Sequence, residues 1–186
     1  MKKLLLAFGF ILFVVSCGGG GPQPKLLPQD MVIGNSEPDN APTQFGFYWT
    51  SSDGTVNLGN DYLVEASNAD GMIVGYNFTT GNVAYWTAAD GWTDTTDPGW
   101  PVDVSDNGII VGRNSNTNGD PWYYDTSAAN PAMQLIAGGG TVTGINNDGI
   151  IIGYTGNIGS SGQSWYYDTT AANPGIVPFG PLANGS

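Results

Sequence analysis

The sequence predicts an all-β fold of four repeated units, each of about 40 residues, that pack like the blades of a β-propeller. An apolar signature bounded by glycines occurs three times along the chain, a weaker copy that begins with Asp30 precedes them, and an aromatic signature follows each copy. The chain also holds 29 glycines, with frequent Asn, Asp and Thr and few helix-forming runs beyond the N-terminus. We expect four short antiparallel strands in each unit. A two-sheet β-sandwich and an open repeat array are the alternatives.

The two signatures define the repeat. The apolar signature lies at residues 30–34, 71–75, 108–112 and 149–153, and the aromatic signature lies at residues 47–50, 84–87, 122–125 and 165–168. The last two units also share the heptapeptide Asp-Thr-Ser/Thr-Ala-Ala-Asn-Pro. These spacings predict one repeat domain at residues 29–186, with units at about 29–64, 65–101, 102–141 and 142–186.

Turn residues separate the strands within a unit. In the last unit, Asn-Asn-Asp-Gly at 146–149 lies between apolar stretches, and these residue types tolerate the positive φ angles of tight hairpins. The strands themselves do not alternate between apolar and polar residues, whereas the strands of a sheet with one wet face do. Both faces of each sheet are therefore expected to be covered, with the repeated aromatic residues in the core.

The N-terminus has the layout of an export signal. Lys2 and Lys3 precede an apolar run at 4–15, and its 12 residues are fewer than the roughly 20 that span a bilayer. The run ends in Val-Val-Ser-Cys, which resembles the lipobox of bacterial lipoproteins. This resemblance implies cleavage between Ser16 and Cys17 and acylation of the Cys17 thiol, for example with palmitate. We expect a signal peptide at 1–16, and a lipidated Cys17 with a Gly/Pro tether at 17–28.

Lipidation predicts both the location and the first partner of the protein. Acyl chains on Cys17 would hold it at a membrane of the bacterial cell envelope. Gly18, rather than an aspartate, follows the cysteine, which favours the outer membrane in a host that has one.

The repeats resemble the bacterial extracellular repeats of the HAF family, whose pattern runs approximately Ile-Asn-x-x-Gly-x-Val-Val-Gly and then His-Ala-Phe-Leu-Trp. Residues 145–153 fit the first half well, and residues 84–86 fit the second half loosely. The similarity spans about residues 29–186, but the chain has no histidine, so the namesake residue is absent. The resemblance implies an extracellular repeat architecture rather than a defined activity.

Composition excludes several classes of function. With no histidine and a single cysteine, the chain cannot form a His-based triad or a usual zinc site. The chain has 16 acidic residues but only two basic ones beyond the signal, Lys25 and Arg113. Nucleic acid is therefore not an expected partner. Most aspartates lie in turn contexts, where they bond to local backbone. We therefore predict no catalytic residue and do not expect an enzyme.

A calcium site is the one cofactor hypothesis that the sequence raises. Asn114, Asn116 and Asn118 place oxygen atoms at alternate positions before Gly119, and Asp125 is the twelfth residue, as in an EF-hand loop. The three asparagines are neutral and no flanking helices are expected, so a polar hairpin loop is the simpler interpretation.

Two tryptophans are candidate ligand contacts. Trp92 and Trp100 do not recur in the other units, and they flank a turn-rich stretch at 94–99. Non-repeated aromatics on loops are typical of binding surfaces. The leading hypothesis is a lipid-anchored, non-catalytic module that binds an unknown protein or glycan, or that supports the envelope. A carbohydrate-binding or carbohydrate-cleaving surface lipoprotein is the alternative.

Overall fold

The computed structural model describes residues 31–37, 44–115, 119–156 and 162–179. The predicted signal peptide, Cys17 and the tether lie outside these ranges. Strands and turns account for the regular structure of the described residues, and no described helix is long and apolar enough to cross a membrane. The strands are β1 (Val32–Ser36), β2 (Phe45–Thr50), β3 (Gly54–Asn57), β4 (Tyr62–Ser67), β5 (Ile73–Asn77), β6 (Asn82–Thr87), β7 (Gly91–Pro98), β8 (Trp100–Val104), β9 (Ile109–Arg113), β10 (Pro121–Asp125), β11 (Gln134–Leu135), β12 (Thr141–Ile145), β13 (Ile150–Thr155), β14 (Gln163–Asp168) and β15 (Ile176–Pro178).

Four antiparallel sheets follow one another along the chain, and the predicted unit boundaries at 64/65, 101/102 and 141/142 fall within β4, β8 and β12. Sheet 1 contains β1 to β3, sheet 2 contains β4 to β7, sheet 3 contains β8 to β11, and sheet 4 contains β12 to β15. The all-β prediction is confirmed, and four separate sheets do not fit the alternative of a two-sheet sandwich. Sheets 2 to 4 each have the four strands that were predicted. Sheet 1 has three strands within the described residues. The first described strand of sheet 1, β1, carries the apolar signature, which lies on the second strand of the other sheets.

Short turns join the first and second strands of sheets 2 to 4. The turn glycines Gly71, Gly108 and Gly149 have φ angles of 84°, 79° and 79°, a region that other residues rarely adopt. A polar side chain at the start of each turn accepts a hydrogen bond from the residue after the glycine; in sheet 4, Asn146 Oδ1 accepts from the Ile150 amide at 2.9 Å. The turn chemistry predicted from the sequence is therefore present.

The sheets stack face to face in chain order, and a hydrophobic core fills each interface. We call the face of a sheet that points to the next sheet its front, and the opposite face its back. The core between sheets 1 and 2 contains Ile33, Tyr48, Leu58, Val64 and Ile73. The core between sheets 2 and 3 contains Ala66, Val74, Val83, Val104, Ile110, Trp122 and Tyr124. The core between sheets 3 and 4 contains Val111, Ile136, Val142, Ile151 and Trp165.

This stacking explains why the strands do not alternate. On β9, Ile110 packs towards sheet 2 and Val111 packs towards sheet 4, and both are fully buried. The aromatic strand is used on both faces in the same way. Tyr124 faces sheet 2, whereas the ring of Tyr123 lies 5.9 Å from that of Tyr167 in sheet 4. The prediction that both faces of a sheet are covered is thus confirmed for sheet 3. It is also confirmed for sheet 2, which has a hydrophobic core on each of its faces.

In sheets 3 and 4, the glycine that ends the apolar signature makes room for an aromatic ring and for the backbone of a neighbouring strand. A Cβ atom on Gly112 would overlap both the Trp122 ring and the Trp100 carbonyl, and one on Gly153 would overlap the Trp165 ring. Each glycine pairs across the strands with that same tryptophan, so the aromatic ring covers the bare backbone.

Candidate functional site

Five residues line an open pocket beside the first strands of sheets 2 and 3. Its volume is about 440 Å³, and its lining residues are Glu65, Trp100, Pro101, Val102 and Arg113. Glu65 lies on β4, the next three lie on β8, and Arg113 ends β9, where it pairs with Trp100. The pocket therefore forms where the first strands of two adjacent sheets meet.

Irregular strand pairing directs two of these side chains. The register of β4 against β5 shifts at Glu65, and that of β8 against β9 shifts at Val102. Such a bulge re-aims the extra side chain out of the regular alternation. The register of β12 against β13 shifts at the equivalent residue, Thr143. Sequence reasoning missed these positions, because a bulge becomes visible only once the pairing of two strands is known.

The pocket combines one carboxyl, one guanidinium and one indole. Burial raises the pKa of the Glu65 carboxyl, and the positive charge of Arg113 partly opposes that rise. Burial, followed by the charge of Glu65, raises the pKa of the nearby Tyr76 hydroxyl. Arg113 is exposed and is the chain's only arginine. Together with Trp100, which is 43% exposed, these groups can hydrogen-bond a polar ligand and stack on its apolar face.

The structure separates the two tryptophans predicted as ligand contacts. Trp100 lines the pocket, whereas Trp92 packs against the core between sheets 1 and 2. The Trp92 indole donates a hydrogen bond to the Leu58 carbonyl at 2.7 Å, and its ring stacks on Tyr62 with centroids 4.3 Å apart. Trp92 thus stabilises an interface between sheets, and only Trp100 belongs to the candidate site.

Tyr62, which stacks on Trp92, also hydrogen-bonds a carboxylate. Its hydroxyl donates to Asp94 at 3.1 Å, and the Asn77 side-chain amide also donates to Asp94. Burial, together with the charge of Asp94, raises the pKa of the Tyr62 hydroxyl. These polar groups on β4, β5 and β7 therefore hydrogen-bond one another within sheet 2.

Of the four predicted cation ligands, the structure describes only Asn114 and Asp125, so the calcium site stays a prediction. Asn116 and Asn118 lie outside the described residues. Asn114 follows β9, whereas Asp125 pairs with Ile109 at the opposite end of the β9–β10 hairpin. The Asp125 carboxylate accepts hydrogen bonds from the amide and hydroxyl of Ser127, at 2.8 Å and 2.7 Å. Within the described ranges there is no cluster of three or more His, Cys, Asp or Glu side chains.

A ladder of hydrogen bonds joins the first turns of sheets 2, 3 and 4. The Asp106 carboxylate accepts hydrogen bonds from the Ala69 amide, at 2.9 Å, and from the side-chain amide of Asn147. In return, the side-chain oxygen of Asn147 accepts a hydrogen bond from the Asp106 backbone amide at 2.9 Å. The Asn68 side chain donates to the Ser105 carbonyl at 2.9 Å. These turn residues therefore also tie neighbouring sheets together, and this rim of the molecule has a structural role.

No model of a known protein family matches the chain, and no curated protein matches it. The resemblances to lipoproteins and to HAF repeats stay predictions.

Proposed function

We propose that the protein is an exported, lipid-anchored module of the bacterial cell envelope that binds a partner without catalysing a reaction. The N-terminal sequence that ends at Cys17 supports export and anchoring. The observation that carries partner binding is the pocket in which Glu65 on β4, Trp100 on β8 and Arg113 on β9 meet. Its lining holds a single carboxyl, whereas glycoside cleavage ordinarily uses two. The pocket is therefore equipped for recognition.

In this proposal the four sheets form an arc of propeller blades. The first strands β4, β8 and β12 contact one another in sequence, as strands nearest a common axis would. The pocket would then face the axis of the arc. The remaining aromatic and polar side chains fill the interfaces between sheets, so a ligand surface can vary on the pocket side while the core stays the same.

Anchoring through Cys17 can be tested in cells that express the full chain. The wild-type protein should incorporate labelled palmitate and fractionate with membranes. Cys17→Ser should lose the label and remain uncut, because the modified thiol is what the processing requires. Trp100→Ala is the matched control and should keep both the label and the fractionation. Wild-type protein that carries no label would contradict this part of the proposal.

A glycan ligand is the second candidate, and the exposed indole of Trp100 favours it. An indole stacks on the apolar face of a sugar ring, while a carboxyl and a guanidinium bind its hydroxyls. On a glycan array, a signal from the detergent-solubilised full chain that Trp100→Ala abolishes would support this candidate. Phe78→Ala is the control, since Phe78 is 62% exposed and lies outside the pocket. A silent array would favour a protein partner, and release of free sugar would contradict a non-catalytic module.

A further inference from the structure

The two end faces of the stack carry exposed apolar residues. On the front of sheet 4, Ile152, Val177 and Phe179 are 44%, 41% and 46% exposed. Ile152 pairs with Tyr166, Tyr166 pairs with Val177, and the Tyr166 ring contacts Phe179, so these residues form one patch. On the back of sheet 1, Trp49 is 40% exposed.

Both end faces repeat residue pairs that are buried inside the stack. The front pairs of sheets 1 to 4 are Ile33–Tyr48, Val74–Tyr85, Val111–Tyr123 and Ile152–Tyr166. The back pairs are Val32–Trp49, Ile73–Trp86, Ile110–Tyr124 and Ile151–Tyr167. At each of the three interfaces, a front pair packs against the back pair of the next sheet. Among the described residues, the front pair of sheet 4 and the back pair of sheet 1 pack against no other pair, and we call them the left-over pairs.

The left-over aromatic residues match an interface that the molecule already contains. Between sheets 1 and 2, the front-face ring of Tyr48 lies 5.4 Å from the back-face ring of Trp86. Tyr166 and Trp49 occupy the same two positions and are the same two residue types. Complementarity between the end faces therefore follows from the repeat itself.

Among the described residues, the two end faces of the stack lack the polar surface that the ends of a solitary repeat array should have. Terminal repeats need a polar outer face for solubility, because no further repeat covers them. Here the apolar pattern continues unchanged to both ends, and a contiguous exposed apolar patch usually marks an interaction site. Within the described residues, sheet 1 packs on sheet 2 and sheet 4 packs on sheet 3, without comparable contact between sheets 1 and 4.

We propose that a second copy of this chain covers these faces. The front of sheet 4 in one copy packs against the back of sheet 1 in the other, with Tyr166 against Trp49, and so continues the internal stacking. Such a head-to-tail contact is heterologous: it closes into a ring if the rotation per sheet allows, and extends into a filament if it does not. Two copies would supply eight sheets, which lies within the range of known propellers.

Charge opposes this association and makes it dependent on salt. Each full chain has a formal net charge of −12, so two copies repel each other over the distance of their approach. Salt screens that repulsion, while the apolar contact itself does not weaken. Association should therefore strengthen as the ionic strength rises, in contrast to association held by ion pairs.

Cross-linking of the full chain in membranes tests the contact directly. A variant with both Trp49→Cys and Tyr166→Cys, treated with a short bismaleimide, should give species of two copies or a ladder of copies. The control combines Tyr166→Cys with Phe78→Cys, which adds a thiol at a residue outside both end faces. No cross-linking between copies above this control would overturn the proposal. A cross-link that joins the two thiols within one chain would also overturn it, because the chain would then close on itself.

A disruptive substitution gives an independent readout. For the full chain in detergent, Ile152→Asp should weaken association at least tenfold in sedimentation experiments, since it puts a charge in the contact. Circular dichroism should be unchanged, because Ile152 is exposed within one copy. Phe78→Asp adds the same charge and keeps the same N-terminus, so it controls for copies held together by micelles. Equal sedimentation of the two variants, or a wild-type monomer at high salt, would refute the proposal.

Discussion

Sheets 3 and 4 share both repeat signatures and the segment that follows the aromatic one, yet they differ in what covers them. Both carry Trp-Tyr-Tyr-Asp on the third strand, and both bury the tryptophan over the signature glycine. Val111 on the front of sheet 3 is completely buried, whereas its counterpart Ile152 on sheet 4 is 44% exposed. The repeat therefore specifies a sheet with two apolar faces, and the position in the stack decides how many of those faces are covered.

The two sheets also differ in one buried hydrogen bond. The Trp165 indole N–H donates to the Gly139 carbonyl, whereas the Trp122 indole N–H is buried without a partner among the described residues. A glycine of the preceding connection lies beside each ring, Gly99 beside Trp122 and Gly139 beside Trp165. Only Gly139 offers its carbonyl to the indole.

Alanine substitution at two neighbouring isoleucines should give the largest difference. Ile151 and Ile152 lie on opposite faces of β13, and they are 0% and 44% exposed. Ile151→Ala should lower the free energy of unfolding by about 2–5 kcal/mol, because it leaves a cavity in the core. Ile152→Ala should cost less than about 1 kcal/mol in dilute full chain. Urea denaturation measures both, and equal losses would mean that the front of sheet 4 is already covered within one copy.

Replacing each buried tryptophan with phenylalanine sharpens the comparison further. Both changes remove a similar volume, but only Trp165→Phe also removes a hydrogen bond. Trp165→Phe should therefore destabilise the protein by about 1 kcal/mol more than Trp122→Phe, which eliminates an unpaired donor. Thermal or urea unfolding of the two variants gives this difference. A larger loss for Trp122→Phe would show that its indole has a partner, such as an ordered water.

The all-β class and the four antiparallel sheets were predictable from the sequence because their signals are local and repeated. Residue type and spacing predict the Asn-Asp-Gly turns and the apolar, non-alternating strand at 109–111. They also predict that β10 carries aromatic residues on both of its faces. The candidate site was less predictable. Trp100 was identified because it does not recur, but so was Trp92. The two are separated only by their contacts in the structure, since Trp92 packs against Leu58 and Tyr62 whereas Trp100 lines the pocket. Glu65 had no signal at all, since its role depends on a bulge in strand pairing.

A pH experiment on the first-strand bulges should give the smallest effect. Sheets 2, 3 and 4 have equivalent bulge residues, which are Glu65, Val102 and Thr143. Of these three, only Glu65 is ionisable. Burial raises the pKa of Glu65 above its ordinary value of 4.5, and Arg113 only partly offsets this, so the folded state holds the proton to a higher pH than the unfolded chain does. The contribution of Glu65 to stability is then most favourable below its unfolded pKa and declines as the pH rises through the folded pKa.

Glu65→Gln removes that dependence and keeps the side-chain shape. The variant should therefore be slightly more stable than the wild type at pH 7, and the advantage should disappear on acidification to about pH 4, where the wild-type carboxyl is also neutral. Glu37→Gln makes the same change at an exposed glutamate and should show no such advantage. Urea midpoints of the full chain at the two pH values measure the effect. If Glu65→Gln is instead destabilising at pH 7, the attraction between Glu65 and Arg113 outweighs the cost of burial, and the pocket is held together by its charges.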